Sequence, residues 1–181
     1  MEKECSYHKK VSLFVVLLAL LGVTACAGLG GPAPLTADQL KNLAYPSEFP
    51  ASKTAKLTDG SFEESIVPGS ATKLKIQLGD KAALGDLNGD GAGDAAAILI
   101  SSPGGSGTFY HLVAVVNEAG TPKPKASILL GDRVVLKSIS IAAGEIVVAM
   151  TKQGPGDPMV KPTLDVTQKY KLQADKLVEV K

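Results

Sequence analysis

Short apolar runs separated by turn residues fill the chain from residue 54 onward. The run ATKLKIQL at 71–78 alternates leucine or isoleucine with lysine or glutamine, which is the two-residue period of a half-buried strand. The run DAAAILIS at 94–101 predicts a buried strand, and TFYHLVAVVN at 108–117 predicts a longer one. Seven further runs predict strands: AKLT, SFEESI, ASILL, RVVLKSISI, EIVVAM, DVTQKYKL and KLVEV.

Turn signals stand between these runs at short intervals. Asp59-Gly60 and Ala143-Gly144 are examples, and an Asp-Gly pair favours a tight hairpin. Because strands joined by hairpins pair with each other, the pattern predicts an antiparallel meander. We therefore expect a mainly β fold, a sandwich or a partial barrel, with about ten short strands. No internal repeat of fixed period is evident, which argues against a full propeller.

One short helix is predicted ahead of the strands. The segment TADQ at 36–39 has the form of a capping box, and Leu40 and Leu43 supply an apolar side. A proline disfavours a helical residue before it, so Pro46 predicts that the helix ends by Ala44.

The first 25 residues have the layout of a secretory signal peptide. A lysine-bearing segment precedes an apolar run at 11–23, which is shorter than the roughly 20 residues needed to span a membrane. The four residues VTAC at 23–26 resemble the bacterial lipobox, in which a cysteine receives lipid and becomes the first residue. The resemblance implies a lipid anchor on Cys26. The alternative is an ordinary signal peptide in which this cysteine has no role.

The chain is thus divided into a lipoprotein signal peptide at 1–25, a Gly/Pro-rich tether at 26–35 and a single β-rich domain at 36–181. Removal of the signal takes away three lysines and two glutamates from 19 basic and 18 acidic residues, which leaves a net charge of zero. A neutral domain argues against a nucleic-acid partner. The only other cysteine lies in the signal, so no disulfide is expected in the mature chain.

Residues 85–94, GDLNGDGAGD, are the strongest candidate for a chemical site. The spacing D-x-N-x-D-G-x-x-D puts oxygen ligands at the positions that an EF-hand-type loop uses for Ca²⁺. Counted from Asp86, position twelve of the loop is Ala97, where an EF-hand has Glu. The pattern that follows is that of a strand, whereas a helix follows in an EF-hand. The alternative is a surface turn, since Asn, Asp and Gly favour turns without any metal. The predicted ligands are Asp86, Asn88, Asp90, the carbonyl of Ala92, and Asp94.

This segment resembles the calcium loops of FG-GAP-type β-repeat proteins, in which an acidic loop opens directly into an apolar strand. The resemblance implies that Asp94 binds through both oxygens in place of the missing Glu. Residues 83–181 also resemble a group of uncharacterised bacterial secreted proteins or lipoproteins, through ALGDLNGDGAGDAAAILI, GSGTFY, LGDRV and GPGDPM. That second resemblance implies a β domain with an acidic loop and no particular activity.

Few residues suggest catalysis. His111 is the one histidine outside the signal and is expected to be structural, because no nucleophile is evident beside it. Ser106 lacks the final glycine of a nucleophile elbow. Acid–base chemistry on Glu63, Glu64 or Asp157 is the open alternative, although these acids look like solvated surface positions.

The segment GPGDPMVKPT at 154–163 is a stiff loop with three prolines. We expect Met159 and Val160 to fold back onto the core; the alternative is an exposed apolar tip that contacts a partner at low entropic cost.

The sequence therefore favours a bacterial envelope lipoprotein, held to the membrane by lipid on Cys26, with a calcium-stabilised β domain and a non-enzymatic binding or structural role. In a Gram-negative cell, Ala27 permits sorting to the outer membrane, facing the periplasm. An envelope protein is the expected kind of partner. A carboxylate-dependent hydrolase, and an inhibitor or assembly factor acting through residues 154–163, are the alternatives.

Overall fold

The computed structural model describes residues 32–69, 71–158 and 160–181. The predicted signal peptide, residues 26–31 of the predicted tether and the lipidation site Cys26 lie outside these residues. So does Met159. Within the described part, the chain forms one helix and eleven strands: α1 (Ala37–Leu40), β1 (Ala44–Pro46), β2 (Thr54–Lys56), β3 (Ser61–Ser65), β4 (Lys73–Gly85), β5 (Asp94–Ser102), β6 (Phe109–Glu118), β7 (Thr121–Asp132), β8 (Val135–Ala142), β9 (Glu145–Lys152), β10 (Leu164–Gln173) and β11 (Lys176–Val180).

The strands form three antiparallel sheets. The largest has the order β3-β4-β5-β6-β7, the second has the order β11-β10-β9-β8, and β1 pairs with β2 as a short third sheet. Strands that lie next to each other in either large sheet are also consecutive in sequence, so both sheets are meanders. The predicted fold class, mainly β with an antiparallel meander and one short helix, is confirmed.

The two large sheets pack face to face around one apolar core. Strands β5, β6 and β7 contribute one side of this core, and β9, β10 and β11 contribute the other. Fully or nearly fully buried side chains fill the space between them: Ala96, Ile98, Leu112, Ala114, Ala126, Leu130, Ile146, Val148, Met150, Tyr170 and Leu177. Close packing between two half-apolar sheets is what stabilises a sandwich without disulfides.

The N-terminal segment covers the other face of the five-stranded sheet. Leu35, Leu40, Tyr45 and Leu57 are each at most 1% exposed and pack against β4, β5 and β6. The central strands are therefore buried on both faces. This explains why β5 is apolar at every position from Ala95 to Ile100 and does not alternate.

A bulge bends β4 and closes the fold at one side. Its pairing with β5 is continuous up to Leu78 and resumes at Ala82, so the strand changes direction between these positions. The second half of β4 lies against β8 of the other sheet. An added Cβ on Gly85 would come within 2.7 Å of Ile141 Cγ2, so this crossing needs a residue without a side chain. The five-stranded sheet is consequently curled, as in a partial barrel.

The capping box on Thr36 and Gln39 is present, and α1 ends at Leu40, within the predicted limit at Ala44. Leu43, expected on the apolar side of the helix, lies after its end. Strand β1 was not predicted, because three residues that include a proline carry no strand signal. No helix in the described residues is long and apolar enough to cross a membrane.

Candidate functional site

The acidic loop, residues 85–94, connects β4 to β5 at one end of the sandwich. Gly89 and Gly91 have φ values of 82° and 79°, in the left-handed region that favours glycine. These two residues let the chain curl back on itself within a few positions. The curl turns the backbone N–H groups of the loop toward its own carboxylates.

Asp86 holds the first half of the loop. Its Oδ1 accepts hydrogen bonds from Gly89 N at 2.7 Å and Asn88 N at 3.2 Å, and its Oδ2 accepts one from Gly91 N at 2.9 Å. These donors stabilise the charged form, so the pKa of Asp86 lies below its ordinary value. The carboxylate is ionised at neutral pH and remains partly open to solvent.

Asn88 and Asp90 form the exposed rim of the loop. Asn88 Nδ2 donates to Asp90 Oδ2 at 2.8 Å, and Asp90 N donates to Asn88 Oδ1 at 3.0 Å. Asp90 Oδ1 accepts from Ala92 N at 2.7 Å. Each rim side chain is thus engaged inside the loop while its residue stays exposed.

Asp94 closes the loop from inside the protein. Its residue is 0% exposed, its Oδ2 accepts from Leu87 N at 2.8 Å, and its Oδ1 accepts from Asn117 N at 2.8 Å. A buried carboxylate is costly unless hydrogen bonds replace its water, and here each oxygen has a backbone donor. Asp94 therefore fixes the loop to the end of β6.

Asn117 is a residue of this site that sequence reasoning missed. Its Nδ2 donates to Ala33 O at 2.8 Å and to Gly93 O at 3.2 Å, and its Oδ1 accepts from Gly120 N at 2.8 Å. Leu35 N also donates to Gly93 O at 3.2 Å. The hydrogen bond between Asn117 and Gly120 could have been found from the sequence, because an asparagine three residues before the glycine of a turn is a recognisable signal. The bonds from Asn117 to residues 33 and 93 depend on the tertiary structure and have no such signal.

The donor set of the loop fits a hard cation. Carboxylate, amide and carbonyl oxygens are the ligands that Ca²⁺ prefers, and Mg²⁺ accepts fewer of them from protein. Within the described residues, no three His, Cys, Asp or Glu side chains stand close enough together to hold a metal ion. The loop is instead ordered by its internal hydrogen bonds. Both lone pairs of Asp86 Oδ1 are taken by backbone N–H groups, whereas each oxygen of Asp90 and Asp94 accepts one bond and keeps a further lone pair. Calcium binding by Asp86, Asn88, Asp90, Ala92 and Asp94 stays a prediction.

Two clefts flank the loop. One, of about 390 Å³, separates Asp86 and Gly89 from the β8–β9 turn. The other, of about 460 Å³, lies between Asp90 and the β10–β11 turn, and Glu118 and Asp175 also line it. Glu118 is paired with Lys125 at 2.6 Å, and this hydrogen bond lowers the pKa of the Glu118 carboxyl. Lys125 lines the same cleft, so on the side of β6 and β10 the loop faces two carboxylates and one ammonium group.

His111 lies away from this end, in a third cleft of about 340 Å³. Its ring stacks edge-on against Phe49, and its Nε2 is 3.7 Å from Glu48 Oε1. Burial lowers the pKa of His111, while the charge of Glu48 acts in the opposite direction. Ser127 lines the same cleft. In the part of the chain that the structure describes, no serine hydroxyl forms a hydrogen bond with His111, so this geometry does not assemble a nucleophile with a base.

Two of the three carboxylates considered for acid–base chemistry have structural partners, and the third, Glu64, lines a cleft beside Ile66 and Leu74. Glu63 forms ion pairs with Lys73 at 3.0 Å and Lys75 at 3.1 Å on the edge of the five-stranded sheet. Asp157 holds the 154–163 loop together, with Oδ2 accepting from Gly154 N at 2.8 Å and from Thr163 N at 2.7 Å. These hydrogen bonds lower the pKa of Asp157.

The tip of the 154–163 loop points outward at Val160. That residue is 80% exposed, so the expectation that it folds back onto the core is wrong. Asp157 offers the physical reason, because its bonds close the base of the loop on itself and leave the tip without a neighbouring core. The expectation for Met159 falls outside the described residues.

Comparisons with protein families, with curated proteins and with solved structures find no match to this chain.

Proposed function

We propose that this protein is a bacterial envelope lipoprotein, anchored through lipid on Cys26, whose β domain binds Ca²⁺ in the acidic loop and serves as a non-enzymatic binding or structural module. The observation that carries the proposal is the closure of the acidic loop on the buried Asp94, with Asn117 joining the loop to the start of the domain. The loop thus lies where the tether meets the sandwich.

The electrostatics of the loop support a cation as its ligand. Asp86 is held ionised by backbone donors, and Asp90 is exposed on the rim. The adjoining cleft adds Glu118 and Asp175, whose charges Lys125 offsets in part. The like charges within the loop destabilise each other, and a divalent ion would relieve this repulsion. A dissociation constant of about 10⁻⁴–10⁻³ M is usual for calcium sites in extracellular modules.

Calorimetric titration of the full-length chain in detergent tests the calcium part of the proposal. We expect Ca²⁺ to bind with a dissociation constant in the range of about 0.1–1 mM and Mg²⁺ to bind more weakly. The double variant Asp86→Asn/Asp90→Asn should lose the heat of binding. Asp80→Asn is the matched control, because Asp80 is an exposed acid on β4 outside the loop. Equal heats from the two variants would remove Ca²⁺ from the account.

Metabolic labelling with a fatty acid tests the anchor. Label should enter the full-length chain in a bacterial host and should be absent from the Cys26→Ser variant. A natural chain that carries no label and is extracted from the cells without detergent would contradict the anchor. The calcium result would be unaffected.

A second role, in assembly or inhibition, is favoured by one observation on the 154–163 loop. Its base is closed by Asp157 and Thr163, and its tip exposes Val160. A preorganised loop with an apolar tip loses little entropy when it contacts a partner. The hydrolase alternative has no such support, because Glu63 and Asp157 are engaged in structural contacts, and Glu64 lines a cleft to which no other carboxylate of the described residues contributes.

A further inference from the structure

The cleft beside Glu64 lies at the edge of the five-stranded sheet. It has a volume of about 270 Å³ and lies between edge strand β3, strand β4 and the segment that connects β1 to β2. Among the described residues that line it, Glu64 is the one that carries a charge. We call this recess the Glu64 cleft. Its apolar lining residues are Phe49, Ala51, Ile66, Leu74 and Pro103.

The direction of the Glu64 side chain follows from the pairing of β3 with β4. Side chains alternate between the two faces of a strand, and Glu63 forms ion pairs on one face with Lys73 at 3.0 Å and Lys75 at 3.1 Å. Glu64 therefore belongs to the other face, where Leu74 is its partner across the strands. Leu74 is 4% exposed and packs in the core under the N-terminal segment. A carboxylate thus occupies a position on the apolar face of the sheet.

The Glu64 carboxylate has no partner among the residues that the structure describes. Its side chain forms no hydrogen bond and no ion pair with any of them, and the two nearby lysines, Lys73 and Lys75, are engaged by Glu63 on the opposite face. Within the same residues, every side-chain oxygen or nitrogen that is closed to solvent has a hydrogen bond, so the Glu64 oxygens remain open to a ligand. A partly buried carboxylate beside apolar groups is stabilised when a donor takes the place of water.

The apolar walls of the Glu64 cleft are fixed by contacts outside it. The rings of Phe49 and Phe109 pack with their centroids 5.4 Å apart. Ile66 packs directly on Gly104, where a side chain would clash with it. Because these walls are already in place, a ligand that binds between them orders few protein side chains, and this lowers the entropic cost of binding.

The size and charge of the Glu64 cleft select the class of ligand. An apolar cavity of about 150 Å³ is large enough to bind benzene. The volume of about 270 Å³ therefore has room for a ring or a branched chain together with a short arm. An ammonium group on that arm would donate charge-assisted hydrogen bonds to the single carboxylate.

We propose that the Glu64 cleft binds a small organic ammonium ion, with its apolar part against Phe49, Ile66 and Leu74 and its charge on the Glu64 carboxylate. Neither the acidic loop nor Cys26 takes part, so this site is independent of the proposed calcium binding and of the proposed anchor. A charge that points inward from an edge strand also hinders pairing with another chain. That protective role needs the charge alone, whereas ligand binding also uses the apolar recess beside it.

Titration of the full-length chain in detergent with 2-phenylethylammonium tests this proposal. Amide signals are followed by NMR with a chelator present, so that Ca²⁺ binding contributes nothing. We expect the signals of Glu64, Ser65 and Leu74 to shift, with a dissociation constant of about 1–5 mM. The uncharged analogue 2-phenylethanol has nearly the same shape and should bind at least about tenfold more weakly, because it lacks the charge.

The matched variants are Glu64→Gln and Glu63→Gln. The first keeps the shape of the side chain and removes the charge from the cleft, so it should weaken the binding of 2-phenylethylammonium about tenfold. The second removes the neighbouring carboxylate on the opposite face of the same strand. It should change the dissociation constant by less than about twofold, because an exposed charge outside the cleft contributes little.

Three results would overturn the proposal: no shift of these amide signals, equal binding of 2-phenylethylammonium and 2-phenylethanol, or equal effects of the two variants. The first would leave Glu64 with protection of the sheet edge as its role. Tighter binding of N-acetyl-lysine amide than of 2-phenylethylammonium would show that the cleft accepts a protein side chain, and would overturn the assignment to a small molecule. The calcium titration and the fatty-acid labelling are decided separately from each of these results.

Discussion

Asp94 and Asn117 are the pair on which the acidic loop depends. Asp94 receives two backbone N–H groups, one from the loop and one from β6, in a place closed to water. Asn117 uses its side chain to join the start of the domain, the loop and the β6–β7 turn. Removal of either side chain leaves buried donors or acceptors without partners. The resulting loss in the free energy of unfolding is larger than the stabilisation that a surface hydrogen bond provides.

Substitution Asp94→Ala should destabilise the protein by about 2–4 kcal/mol, because two buried N–H groups lose their acceptor. The measurement is urea unfolding of the full-length chain in detergent with a chelator present, so that metal binding contributes nothing. Asp80→Ala, which removes a carboxylate whose side chain is 84% exposed, should change the free energy of unfolding by less than about 0.5 kcal/mol. Equal effects from the two substitutions would show that the buried bonds are not made.

His111 should make the stability fall as the pH drops below about 7. Burial lowers its pKa in the folded state below the ordinary value of 6.5, so the unfolded chain binds the proton more tightly. The stabilisation from neutral His111 is fully present above pH 6.5 and is lost as the pH falls through that value toward the folded pKa. Unfolding of the natural chain and of His111→Gln at several pH values measures this. If the natural chain and His111→Gln lose the same stability as the pH falls, His111 is not the group that causes the pH dependence.

Strand β5 connects the two cores of the protein. Ile98 faces the space between the two large sheets, and Leu99 faces the N-terminal segment that covers the other side. Both side chains are at most 1% exposed. The strand therefore couples the folding of residues 35–57 to that of the sandwich.

Ile98→Ala and Leu99→Ala should each cost about 2–4 kcal/mol in the free energy of unfolding, since each leaves a cavity in a closed core. Denaturant unfolding monitored by circular dichroism should give a single transition for both variants. If Leu99→Ala costs less than about 1 kcal/mol while Ile98→Ala costs the full amount, the N-terminal segment is not packed as described.

The elements that sequence reasoning recovers are those specified by local chemistry. The capping box at Thr36 and the apolar run of β5 need only neighbouring residues to be recognised. Strand β7 begins at Thr121, before the predicted run, because prolines at 122 and 124 are tolerated on a sheet edge. The bonds of Asn117 to residues 33 and 93 depend on residues distant in sequence, so no local pattern announces them. The exposure of Val160 follows from the closure of its own loop by Asp157, which the apolar character of Val160 did not indicate.

The whole molecule has two chemically different ends. One end combines the acidic loop, the two clefts beside it and the point where the chain enters the domain. At the other end, hydrogen bonds among Thr108, Asp132 and Arg133 join the β5–β6 loop to the β7–β8 link. The exposed Val160 lies in the β9–β10 loop.

The central claim, that Ca²⁺ stabilises the fold through the acidic loop, is tested most directly by thermal unfolding of the full-length chain with saturating Ca²⁺ and with chelator. At ten times the dissociation constant, binding adds about 1.4 kcal/mol, which corresponds to an increase in Tm of about 3–5 °C for a domain of this size. The increase should disappear in Asp86→Asn/Asp90→Asn and persist in Asp80→Asn. An unchanged Tm of the natural chain in Ca²⁺ and in chelator would contradict the claim.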